Sequence, residues 1–136
     1  MYNKVLTAVA ANIKAALSAP AVYINEIPRE SDGNIFVRII EDAREDFCYR
    51  THYHFDFEAL YFQAEHDTFT YGEWVDAMFA ALKTIEADDL LLIVKEKSAR
   101  QDTDNRFYQF LFALDFTVIE IPTSEPMETL KTTISE

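Results

Sequence analysis

Near the start of the chain apolar residues recur every fourth position. Val5, Val9, Ile13 and Leu17 form the stripe, Leu6, Ala10 and Ala16 flank it, and Asn12 falls off it. That spacing predicts an amphipathic helix over residues 3–18. "SAPA" ends it, because Pro20 has no amide to donate and steers Ala19 out of the α region. "VYINEI" (22–27) and "IFVRII" (35–40) are then β-branched and aromatic, with turn chemistry, "PRESDGN", between them. A hairpin is expected there, its polar tip using Gly33 for a positive φ. "EDAREDF" (41–47) reads as a charged connection.

From Tyr49 to Phe62 the alternation is strict. Tyr49, Thr51, Tyr53, Phe55, Phe57, Ala59 and Tyr61 share one face, and Arg50, His52, His54, Asp56 and Glu58 the other. Such a strand would run about 45 Å at the usual rise, so it must bend, bulge or project from its domain. A second helix follows, "YGEWVDAMFAALKTIE", with Trp74, Met78, Leu82 and Ile85 on one stripe and "ADD" closing it. Thr70 and Glu73 are spaced as a capping box, and Phe69 and Trp74 as a hydrophobic staple. "LLLIVKE" (90–96) is apolar in succession, as in a strand covered on both faces. "KSARQDTDN" (97–105) reads as a charged loop. The last strand puts Tyr108, Phe110, Phe112, Leu114, Phe116 and Val118 on one face and Gln109, Leu111, Ala113, Asp115 and Thr117 on the other, until Pro122 stops it.

The predicted fold is α+β, in the order α-β-β-β-α-β-β: an antiparallel-rich mixed sheet of about five strands with two main helices packed on it. Residues 1–122 form one domain, and 123–136 a C-terminal tail in which Ser124 can cap a short helix. Length supports this, since 136 residues with 14% aromatics can bury a core without a disulfide or metal staple. The lone Cys48 has no intrachain partner, no signal-peptide core opens the chain, and no apolar run is long enough to span a membrane. A cytosolic protein, or a particle component assembled in a cytosol, is the expectation.

Charge narrows the field most. Twenty-four acidic against twelve basic residues leave a net charge of −12, which repels phosphate backbones and disfavours nucleic-acid binding in the usual sense. An acidic surface suits solubility, docking to a basic protein, or lining a passage through which DNA must slide.

Catalytic signatures are weak. His52 and His54 on alternate strand positions can present two imidazoles to one metal, with Asp56 or Glu58 completing the set. The same alternation is what the wet face of any strand shows, so no metal or other cofactor is expected. Cys48 sits among acids that raise a thiol pKa rather than lower it. Two glycines in the whole chain leave no phosphate-cradling loop. No enzyme is expected.

The order of elements, and the segments "CYRTHYHFDFEALYF", "EWVDAMFAALKTI", "DTD" and "RFYQFLFALDFTV", resemble the phage tail terminator family over residues 3–120. Tyr49, Arg50, Phe55, Asp56, Tyr61, Phe62, Asp104, Phe110 and Phe112 carry the likeness; Gln63 stands where the family has a proline after the Tyr-Phe pair. The resemblance implies a structural virion protein, from a phage or prophage, assembled in the bacterial host cytoplasm. It implies a homo-oligomeric ring, usually a hexamer, that caps the tail tube at the head–tail junction. The partners it implies are further copies of the chain, the tail-tube protein and a head-completion or neck protein, with DNA passing through the ring. An acidic inhibitor or immunity-type protein, binding one basic partner as a monomer, fits the charge equally well.

Contacts with subunits or tube are expected from the loops 28–34, 41–48 and 97–105, through Arg29, Arg44, Asp46, Arg100, Asp102 and Asp104. The polar strand face, Arg50, His52, His54, Asp56 and Glu58, is expected to meet a lumen, a neighbour or solvent.

Overall fold

The computed structural model describes residues 1–17, 22–24, 34–62, 68–102 and 107–120. The chain runs α1 (Tyr2–Leu17), β1 (Val22–Tyr23), β2 (Ile35–Phe47), β3 (Arg50–Phe62), α2 (Thr68–Ala81), β4 (Thr84–Ala87), β5 (Leu90–Asp102) and β6 (Phe107–Ile119). The six strands form one mixed sheet in the order β1-β2-β3-β6-β5-β4. The α+β class and the two packed helices are as the sequence predicts, with six strands rather than five.

The core lies on one face of the sheet. Val5, Val9 and Ile13 of α1 are fully buried, as the four-residue spacing requires. Trp74, Met78 and Leu82 of the second stripe are buried against Tyr53, Phe55 and Phe57 of β3 and Tyr108, Phe110 and Phe112 of β6, or against their neighbours in the same cluster. Aromatic contacts knit the layers: Phe57 stacks on Phe112 at 5.0 Å, Trp74 on Tyr61 at 5.6 Å, and Phe79 meets Phe110 edge-on at 4.9 Å. Asn12, off the apolar stripe, donates from Nδ2 to the carbonyl of Ala81 at 3.0 Å, tying α1 to the open C-terminal turn of α2. Lys97 donates to the carbonyl of Leu82 just beyond that turn at 3.0 Å.

Several expectations are corrected. Residues 41–47 are not a connection: β2 runs on to Phe47, paired with β3 on either side of a bulge at Ile40 and exposed from Ile40 onward. An edge strand with no layer over it tolerates charge on both faces, so composition there reported exposure and not a loop. Likewise β5 continues through residues 97–102. The second helix stops at Ala81, and Thr84–Ala87 is a strand. Ile85 is buried from that strand; its spacing from Leu82 suited a helix, but Thr84 and Ile85 are β-branched and "ADD" supplies a hairpin turn with Asp88 at φ 56°. Thr70 lies inside the first turn of α2 rather than at its cap. Phe69 is 82% exposed, which is incompatible with a staple.

Two further differences concern the sheet itself. β1 pairs with β2 in parallel, Val22 opposite Ile35, so these segments are not a hairpin. β5 is covered on one face only: Leu92 and Val94 are buried, whereas Leu91 and Ile93 are 65% and 61% exposed. A continuous apolar run fits either case, and no second layer is present among the described residues to cover it. The turn with Gly33, Pro20, the loop at 103–106 and the tail with Ser124 lie outside the described residues.

Candidate functional site

Antiparallel register decides which polar residues meet. Directly opposed residues on paired strands point to the same face. On the face away from the helices, His52 lies opposite Glu45 and Thr117, His54 opposite Ala43 and Asp115, Asp56 opposite Glu41 and Ala113, and Glu58 opposite Arg38 and Leu111.

Two constellations result. The first crosses four strands. Arg38 of β2 donates from Nε to Glu58 Oε1 at 2.7 Å, and the Gln109 amide of β6 donates to Glu58 Oε2. Arg100 of β5 then donates from Nε to Gln109 Oε1 at 2.6 Å. Glu58 and Gln109 are buried, while half of the Arg38 side chain remains in contact with solvent. A carboxylate this enclosed needs both oxygens engaged, and it has them.

The second constellation holds the histidines. His52 sits with Nε2 2.5 Å from Asp115 Oδ1 and Nδ1 2.9 Å from Thr117 Oγ1. His54 Nε2 lies 3.0 Å from Asp56 Oδ1, and its Nδ1 is 3.7 Å from Asp115 Oδ1. Burial works to lower the pKa of His54, but the charge and hydrogen bond of Asp56, with the charges of Asp115 and Glu96, outweigh it and leave the imidazole above its ordinary value. Glu96, at φ 55° in a bulge of β5, brings a carboxylate to the same place. Among the described residues, ligand atoms of His54, Asp56 and Glu96 lie within 4.8 Å of one another, so this trio could hold a metal ion. Lys95 approaches Asp115 Oδ2 at 4.0 Å and supplies a cation of the protein's own.

The remaining predicted contact residues are dispersed. Arg44 forms a two-bonded pair with Asp42 at 2.9 and 2.8 Å, and its guanidinium lies 4.9 Å over the Tyr53 ring. Asp46 accepts from Thr51 Oγ1 at 2.8 Å. Arg50 lies with Phe47, Glu45, His52 and Thr117 around a shallow cleft at the β2–β3 turn. Asp102 ends β5 opposite Phe107. Arg29 and Asp104 lie outside the described residues. Arg38, Lys95, Glu96, Gln109 and Asp115 were missed; Gln109 and Asp115 already share a face by alternation, and only the pairing of β6 with β3 shows which face.

A family model described as a phage tail terminator protein matches residues 4–126, a span that takes in α1 from Lys4 on, α2 and all six strands. The chain belongs to the phage tail terminator family. No curated protein matches the sequence. Terminators are structural proteins of a phage tail. Among the described residues, no helix of the terminator is long and apolar enough to cross a membrane.

Proposed function

We propose that this terminator assembles with copies of itself into a ring, in the usual form a hexamer, that caps the tail tube and joins it to a head-completion or neck protein at the head–tail junction. The observation that carries the reading is the family match across every element of the fold. Two features support it. The β2–β3 hairpin ends in a turn where Phe47, Tyr49 and nearby Ile119 are half or more exposed, an apolar end suited to seating on another protein. At −12 per chain, a ring also presents a surface to which passing DNA does not adhere.

Light scattering across a wide concentration range, with negative-stain images of the same samples, tests this reading. Closed rings with a central hole, free or on added tail tubes, are the expected result. A chain that stays monomeric and does not bind assembled tubes overturns it.

A further inference from the structure

We propose that the chain binds one divalent metal ion of the zinc class on the face of its sheet away from the helices, between His54 and Asp56 of β3 and Glu96 of β5. This site goes beyond the ring reading and does not depend on it. His54 Nε2 and Asp56 Oδ1 are 3.0 Å apart, the separation expected of two neighbouring ligands each about 2.1 Å from one ion. The Glu96 carboxylate joins them within 4.8 Å. One imidazole with two carboxylates suits zinc, whereas magnesium and calcium prefer sets made of oxygen alone. The His54 and Asp56 side chains are 29% and 30% exposed, so an ion enters from solvent and keeps water at its remaining positions.

Glu96 is there because the strand is irregular. Val94 is buried on the helix side and Lys95 lies on the outer face, so plain alternation would turn Glu96 inward. Instead Glu96 and Lys97 together stand against Phe112 of β6, two residues against one. Lys97 takes the helix side, donating to the carbonyls of Phe79 and Leu82. Glu96 takes the outer face beside His54 and Asp56. It does so at φ 55°, a left-handed backbone that glycine adopts freely and other residues avoid. A carboxylate held in that unfavourable conformation, next to an imidazole, sets this cluster apart from the other acids of the chain.

The surroundings fit an ion as well. Among the described residues no Lys or Arg nitrogen lies within 4.0 Å of the Asp56 or Glu96 carboxylates; Lys95 stands against Asp115 instead. Asp56 and Glu96 therefore carry two negative charges without a cation of the protein's own, the charge that one divalent ion balances. Asp115 Oδ1 lies 3.7 Å from Nδ1 of His54, on the side from which a carboxylate orients a ligating imidazole. Ala113 of β6 sits opposite both Asp56 and Lys95, and its methyl group does not rise between the ligands. It is 1% exposed, closed over by its polar neighbours. An ion there ties β5 to β3 across the strand between them.

The experiment is equilibrium dialysis and thermal melting of the full, untagged chain, in a Cys48→Ser background that removes the single thiol, with zinc and separately with magnesium. The expected result is one zinc ion per chain, held about tenfold or more tightly than magnesium, and a thermal midpoint that climbs with zinc concentration. Glu96→Gln, which keeps the size and removes the charge, should weaken zinc uptake by about tenfold or more. Glu96→Gly, whose backbone takes φ 55° without strain, should fold and show the same loss. His52→Gln and Glu41→Gln, neighbours outside the trio, should keep stoichiometric uptake. Absence of stoichiometric uptake, zinc held no more tightly than magnesium, uptake unchanged in both Glu96 variants, or an equal loss in Glu41→Gln overturns the site.

Discussion

Arg38→Met removes the solvent-side partner of the buried Glu58 while keeping the aliphatic stem that covers it. Arg38 is half-exposed, and a pair at the surface contributes at most about 1 kcal/mol. The carboxylate left behind is the deciding quantity. Glu58 is 7% exposed, and without Arg38 it keeps only the Gln109 amide. Breaking a buried charged pair from one side costs about 3–5 kcal/mol; because water can reach Oε1 once the guanidinium is gone, about 2–3 kcal/mol is expected here. For a chain this long that lowers the thermal midpoint by roughly 7–10 °C. Glu58→Gln removes the charge and retains an acceptor for Gln109, so it should cost only about 1 kcal/mol. The double variant should then be more stable than Arg38→Met alone, the second substitution relieving the first. Urea unfolding followed by Trp74 fluorescence measures all three, since this single tryptophan is buried and stacked on Tyr61. If the two costs simply add, or Arg38→Met lies within about 0.5 kcal/mol of wild type, Glu58 is not an enclosed charge held by its partners.

The raised pKa of His54 makes stability depend on pH. Its contribution is complete below about pH 6.5, the unfolded value, and is lost as pH rises through the higher folded value. Urea midpoints on both sides of neutrality should show this slope in wild type and a flatter one in His54→Gln. Phe57→Ala empties a fully buried site against Phe112 and should cost about 3–5 kcal/mol by the same assay. Lys97→Ala leaves the carbonyl of Leu82 without its donor, and hydrogen exchange at the end of α2 should quicken in step with a loss of about 0.5–1.5 kcal/mol. Leu91→Ser with Ile93→Ser should change monomer stability by no more than about 0.5 kcal/mol, because neither side chain has a layer over it.

Periodicity made much of this fold legible. The spacing of Val5, Val9 and Ile13 gave α1, and the alternations of 49–62 and 107–119 gave the two central strands with the correct faces. Failures came where one local pattern serves two structures. Ile85 fits a helical stripe and a buried strand alike, and "LLLIVKE" cannot say whether one face or two are covered. Charged runs misled for a related reason: Glu41–Asp46 are in solvent, but solvent also bathes an edge strand. The polar face was read correctly as a face and incompletely as a set of contacts. His54 and Asp56 adjoin in sequence, whereas Asp115 and Glu96 reach them only through strand pairing and a bulge, which no local pattern encodes.

The two bulges fall in one row of the sheet. β2 is interrupted between Ile39 and Glu41, β5 between Lys95 and Ser98, and Glu41, Asp56, Ala113 and Lys95 face one another across it. Between them the β3–β6 ladder runs unbroken from Arg50 opposite Ile119 to Phe62 opposite Phe107. Pulled from end to end, that central pair resists in shear, with all its rungs strained together. The flanking strands can each pivot where a rung is missing. The subunit is therefore a stiff spine with a crease on either side, able to change its curvature across the strands while keeping its length along them.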